Sequence, residues 1–179
     1  MTHYPTPRFL PESGARQTIR REITIPVAIK IARVSDRQKL LQFAAAFRKE
    51  SGSELRRSES RAIGQLLSEP DHGRAYLISA HDRVIGHAVL CYGFSIEYGG
   101  RDAFLDEIYI TPGARGQGIG GQVLKLLEAE ATADRVRALH LEVLEDHVRV
   151  ESFYRRAGFA DRNSTLMTKR LTVGDRFAA

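Results

Sequence analysis

A glycine-rich stretch, ITPGARGQGIGGQ at residues 110–122, most constrains what this chain can fold into. It follows the apolar run FLDEIYI and precedes VLKLLEAEA, whose apolar spacing is typical of an amphipathic helix. Glycines at a helix start cost backbone entropy, so a plain turn explains five of them poorly. A helix N-terminus offers unpaired N–H groups and the positive end of the helix dipole. The stretch therefore predicts a strand–loop–helix unit that binds an anionic group.

One ligand motif in these letters is the dinucleotide pattern G-x-G-x-x-G, matched by Gly116, Gly118 and Gly121. Glu142 even lies about 20 residues further on, where that pattern places an acid. Two features argue against a dinucleotide. The residues TPGAR separate the strand from the first glycine, and the preceding strands are predicted to form a meander rather than crossovers. The phosphate loop G-x-x-x-x-G-K-[ST] is absent from the sequence.

The second motif is R-x-x-G-x-G, at Arg115, Gly118 and Gly120. Its glycines let the backbone approach a pyrophosphate, and the arginine adds a permanent positive charge with a fork of donors. We favour this motif. The candidate binding loop then also contains the intervening and following residues Gly116, Gln117, Ile119 and Gly121.

Around the loop, hydrophobic patterning predicts the element order β-α-α-β-β-β-α-β-α-β. The predicted strands span residues 27–34, 75–80, 84–94, 102–110, 138–144 and 165–173. The first helix is expected to begin at Ser35, through a capping box with Gln38, and to end before SGS at 51–53. The others are expected at 54–67, after the glycine loop, and at 147–158.

Composition narrows the class of protein. The chain has 179 residues, with 27 basic and 22 acidic side chains, a balance that favours anionic ligands. The basic residues are interspersed with acids, which argues against nucleic acid. We expect no bound metal, because the spacing of the His and Cys residues matches no ligand set. No apolar run is long enough to span a membrane, and the N-terminus does not resemble a signal peptide. We therefore expect a cytoplasmic protein. The predicted domain is 27–173, between a tail at 1–26 and one at 174–179.

Two segments, IYITPGARGQGIG (108–120) and FYRRAGF (153–159), resemble the GNAT acetyltransferase superfamily. In that family the first segment is the loop that binds the acetyl-CoA pyrophosphate, and the second belongs to the C-terminal helix. The resemblance implies an α/β GNAT fold, a mixed and mostly antiparallel sheet flanked by helices on both faces. His147 and Val150 depart from the pattern, since the family usually has Asn and Ala there.

The resemblance also implies where acetyl-CoA lies. The strand 104–110 is expected to splay from the strand 138–144, and the pantetheine arm occupies the gap. Its amides pair with the backbone of Ile108, Tyr109 and Ile110, and His147 stands where the family's Asn contacts the CoA arm.

Acyl transfer from a thioester to an amine needs a base for the amine proton and can use an acid for the thiolate. The sequence has no evident Ser-His-Asp or Cys-His set, so direct attack is expected rather than a covalent intermediate. Tyr154 aligns with the family's frequent acid. The base candidates are Asp106, Glu107 and Glu142. Regular strand alternation would send Asp106 and Glu107 to opposite faces of the sheet.

These observations predict an N-acetyltransferase that transfers the acetyl group of acetyl-CoA to a primary amine of a small molecule or peptide. Glu97 and Tyr98 are candidates to shape the acceptor pocket. The alternative is a CoA-binding sensor or regulatory module without turnover, motivated by His147 alone. The family's habit favours a homodimer.

Overall fold

The computed structural model describes residues 25–143 and 148–171. Within these ranges, a single sheet has the strand order β1-β2-β3-β4-β5, with antiparallel pairing from β1 to β4 and parallel pairing between β4 and β5. The strands are β1 (Val27–Ile31), β2 (Gly73–Ala80), β3 (Arg83–Ser95), β4 (Gly100–Ile110) and β5 (Leu139–His140). The helices are α1 (Arg37–Glu50), α2 (Arg57–Ser68), α3 (Ile119–Ala133) and α4 (Val148–Arg156).

Apolar side chains cover both faces of this sheet. On one face, α3 packs over a core that includes Ile78, Leu90 and Leu127, and side chains of α4 join it. On the other face, α1 and α2 pack over Leu77 and Val89. The mixed sheet with helices on both faces confirms the predicted fold class.

A β-bulge in β4 divides that strand into two halves. The pairing with β3 runs Val89↔Glu107 and then Leu90↔Leu105, so Asp106 is the extra residue. A bulge bends its strand and interrupts side-chain alternation. Leu105 and Ile108 therefore both reach the α3 face, although they are three residues apart.

Three predicted elements differ most from the structure. The first helix begins through a 3-10 turn at Val34–Asp36, where Asp36 rather than Ser35 accepts a hydrogen bond, from the Arg33 N–H at 2.9 Å. The strand expected at 138–144 is only β5. The strand expected at 165–173 does not form over 165–171, where adjacent Leu166 and Met167 break the period-2 pattern and are exposed.

Candidate active site

The glycine loop leads directly into α3. Gly118 is the N-cap residue, with φ of 75°, a left-handed conformation that favours glycine. Within the ranges described above, none of the backbone N–H groups of residues 116–121 donates to another protein group. The first turn of α3 therefore presents a set of free donors together with the positive end of its dipole.

The glycine loop and the segment FYRRAGF (153–159) contact each other at Gly120. A Cβ atom added to this glycine would lie 3.1 Å from Cζ of Phe153 on α4. A side chain here would crowd the Phe153 ring, so glycine favours the close approach of α3 and α4. The contact brings the aromatic pair Phe153 and Tyr154 to the start of α3.

Arg115 is held by the protein on the other side of the loop. Its Nε donates to the Ile110 carbonyl at 2.6 Å, and its Nη2 donates to both carboxylate oxygens of Glu50, at 2.9 and 2.8 Å. The guanidinium also lies over the Tyr109 ring, 5.4 Å from its centre. Arg115 therefore fastens the glycine loop to the end of β4 and to α1.

The strand β4 has an open edge beside the loop. Its parallel pairing with β5 includes only Ala103↔Leu139 and Phe104↔His140. Beyond Phe104, no described residue pairs with β4 on that side, so this edge of β4 is open from Leu105 to Ile110. Ile108 and Ile110 face the α3 core, and Tyr109 is buried on the opposite face.

The two carboxylates on β4 have different environments. Glu107 is 8% exposed, and both of its oxygens are engaged. Oε1 accepts from Arg48 Nη2 at 2.6 Å, and Oε2 lies 2.8 Å from Nε2 of His87. Arg48 also contacts Glu59 of α2, with Nε 3.0 Å from Oε1. Glu107 is thus the centre of a network that joins β4 to β3 and both helices.

Asp106, the bulge residue, is open to solvent on one side. Partial burial against the sheet raises the pKa of its carboxyl, the negative charge of Glu107 raises it further, and Arg48 opposes the shift. Both carboxylates also act on Cys91, since burial and then the charges of Asp106 and Glu107 raise the pKa of that thiol to about 11. The bulge at Asp106 interrupts the regular alternation on which the predicted separation of Asp106 and Glu107 rested.

Tyr154 and Glu142 line one cleft, between β5, α4 and residues 157–166. The Tyr154 ring packs against Phe153 and Phe159, and burial raises the pKa of its phenol, which keeps the hydroxyl protonated at neutral pH. Glu142 is exposed in the irregular segment that follows β5. His147 lies outside the described residues.

The turn between β3 and β4 borders the same cleft. Glu97 accepts from Arg162 Nη2 at 2.6 Å, and the guanidinium of Arg162 lies over the Tyr98 ring. Tyr98 also contacts the ring of His140. The two predicted acceptor-pocket residues are thus tied to the segment after α4.

Sequence reasoning missed His87 and Arg48. A histidine inside the apolar run VIGHAVL was a visible signal, because a buried imidazole needs a polar partner. The partner could not be named, since it depends on the register of β3 against β4 and on the way α1 packs.

Among the described residues, we find no group of three or more His, Cys, Asp or Glu arranged to hold a metal ion. None of the helices described is both long enough and apolar enough to cross a bilayer.

Comparison with known proteins agrees with this geometry. Residues 39–159 match the sequence profile of the Acetyltransferase (GNAT) family. This match spans more than half of the chain, which therefore belongs to the GNAT acetyltransferase family.

Individual relatives carry acetyltransferase names. The chain is 32% identical over 99 residues to thialysine N-epsilon-acetyltransferase of Bos taurus, covering 55% of this chain and 54% of that protein. The chain thus spans just over half the length of this curated relative.

Solved structures share the fold. An integron cassette protein from the mobile metagenome of Cole Harbour Salt Marsh is 33% identical, with a TM-score of 0.72, over 82% of this chain and 91% of that one. The ribosomal-protein-alanine N-acetyltransferase of Brucella melitensis biovar Abortus 2308 is 18% identical, with a TM-score of 0.65, over 81% and 99%. At that identity the likeness concerns the fold alone.

Proposed function

We propose that the protein is an N-acetyltransferase that uses acetyl-CoA as donor and a primary amine as acceptor. The observation that carries the proposal is the placement of free N–H groups at the start of α3 beside the open edge of β4. The N–H groups at the start of α3 can hold a pyrophosphate, and the open edge of β4 offers backbone groups to an extended chain that carries amides. A relative named for acetylating an amine supports the choice of acceptor class.

In this proposal the donor is held mainly by backbone. The N–H groups of Gly116, Gln117, Gly118, Ile119, Gly120 and Gly121 bind the pyrophosphate, and the edge of β4 at residues 108–110 pairs with the pantetheine arm. Arg115 contributes by fixing the loop to the Ile110 carbonyl. His147 keeps its predicted role at the CoA arm.

The chemistry then follows from the difference between the two β4 carboxylates. A base must be within reach of the amine, and Glu107 is buried with both oxygens hydrogen-bonded, whereas Asp106 is exposed and has a raised pKa. Asp106 takes the proton of the incoming ammonium, directly or through a water. The amine nitrogen forms its bond to the thioester carbonyl carbon, the C–S bond breaks, and the thiolate takes a proton from Tyr154. The nitrogen gives up its second proton to the Tyr154 phenolate, directly or through water, and Asp106 releases the first proton to solvent, so both groups are restored. Glu142 stands as the second candidate base.

The test begins with binding. Calorimetric titration of acetyl-CoA, with NAD and ATP as parallel ligands, is expected to show micromolar binding of acetyl-CoA and weak binding of both nucleotides. A panel of small amines and peptides, followed by detection of the released thiol, is then expected to identify acceptors. Binding of NAD without acetyl-CoA would overturn the proposal and favour the dinucleotide pattern. Tight acetyl-CoA binding without thiol release on any amine would favour the sensor.

A further inference from the structure

His87 is almost completely buried, with 1% of its surface exposed, and no role has been assigned to it above. Its Nε2 lies 2.8 Å from Oε2 of Glu107. Since a carboxylate only accepts, Nε2 carries a proton in this contact. The Nδ1 atom has no hydrogen-bond partner among the described residues, and the ring stacks on Phe43. Only the hydrogen bond to Glu107 gives this buried imidazole a contact that an apolar side chain could not make.

Glu107 is surrounded by groups from four elements, so its position is fixed from several sides. Arg48 holds Oε1 from α1, and His87 holds Oε2 from β3. The other charged and titratable groups around this network include Cys91 on β3, Asp106 and Tyr109 on β4 and, through Arg48, Glu59 on α2. With both oxygens held, the carboxylate has a fixed position next to Asp106 in the chain, and burial together with this charge raises the pKa of Asp106.

We propose that His87 is a positioning residue for the proton transfer, which fixes the Glu107 carboxylate behind Asp106 and acts on the reaction only through Glu107. The inference rests on the proposed function, because it needs Asp106 to accept the amine proton. A fixed negative charge beside Asp106 disfavours its ionised form. Asp106 therefore keeps more affinity for the proton that it must take from the amine.

Two variants that differ by one methylene group test this role. The amide of His87→Gln can reach Glu107 in place of Nε2, whereas the amide of His87→Asn is too short. We expect His87→Asn to lower kcat about tenfold, a fraction of what a positioned base contributes, with the KM for acetyl-CoA unchanged. The acid limb of its kcat/KM profile moves to lower pH, because Asp106 binds its proton less tightly. His87→Gln should stay close to the wild type in both respects.

The double variant with Glu107→Gln separates positioning from a merely structural role. If His87 acts through Glu107, adding His87→Asn to Glu107→Gln changes neither kcat nor the acid limb. A full additional loss in the double variant, or a folded His87→Asn protein with wild-type kcat and pH profile, overturns the inference. His87→Leu replaces His87→Asn in the same comparisons if the latter does not fold. A wild-type protein that acetylates no amine overturns the proposed function as well.

Discussion

The proposed donor side and the proposed acceptor side of β4 are built in different ways. At the glycine loop, the groups offered are backbone N–H groups of consecutive residues 116–121. On the opposite face, the groups are side chains from four separate elements, joined through Glu107 by contacts to Arg48 and His87. The donor side therefore depends on local backbone conformation. The acceptor side depends on charges brought together by tertiary packing.

This difference predicts different consequences of mutation. A loop built from backbone is insensitive to most side chains and sensitive to anything that changes its conformation or charge. A side-chain network loses a partner with each substitution and couples stability to chemistry. Substitutions confined to one side can therefore test the two sides separately.

The largest effect is expected from Asp106→Asn, which removes the open carboxylate while keeping its shape. We expect kcat/KM to fall by roughly 10²-fold or more, the range of a positioned general base. Affinity for acetyl-CoA, measured by calorimetry, should not change. Glu142→Gln is the matched control, and a larger loss there than at Asp106 would assign the base to Glu142 instead.

Gly118→Asp addresses the donor side. Aspartate at φ of 75° is strained, and its carboxylate would lie beside the pyrophosphate. We expect acetyl-CoA affinity to fall at least about tenfold, or ~1.4 kcal/mol. Gly113→Asp makes the same change in the same loop, where no positive φ is required and a Cβ atom meets nothing within 4 Å. Equal affinities for the two folded variants would place the phosphates elsewhere.

The same contrast explains how much could be predicted from the sequence. The loop, its motif and the helix that follows are adjacent in the chain, so spacing was enough to predict their place in the fold. The difference between Asp106 and Glu107 was hidden, because it depends on a bulge that pattern reasoning does not reveal and on partners from 20 and 59 residues away. The strand expected at 165–173 does not form over 165–171 for two reasons: Leu166 and Met167 break the alternation, and β5 offers only two residues as a partner edge.

Tyr154→Phe is expected to have a smaller effect than the loss of the base. A thiolate is a good leaving group with an ordinary pKa of about 8.5. We therefore expect kcat to fall about fivefold, well below the usual contribution of general acid catalysis. The comparison of acetyl-CoA with a donor that has a poorer leaving group sharpens the test, since the loss should grow with the basicity of the departing atom. A constant loss across donors would indicate that the ring only packs.

The smallest effect concerns Glu59, at the outer end of the acceptor-side network. Hydrogen bonds from the side chain and then the backbone N–H of Arg56 lower the pKa of Glu59 from 4.5 to about 2. A lowered pKa in the folded state stabilises the protein above pH 4.5, and this contribution disappears as the pH falls towards 2. Because the contacts are near the surface, Glu59→Gln should cost less than about 1 kcal/mol of unfolding free energy at pH 7. Urea unfolding of both proteins should converge on acidification, whereas the exposed Glu54→Gln control should match the wild type throughout. A difference that persists at low pH would mean that Glu59 contributes through packing rather than through its charge, and that the network around Arg48 ends at Glu107.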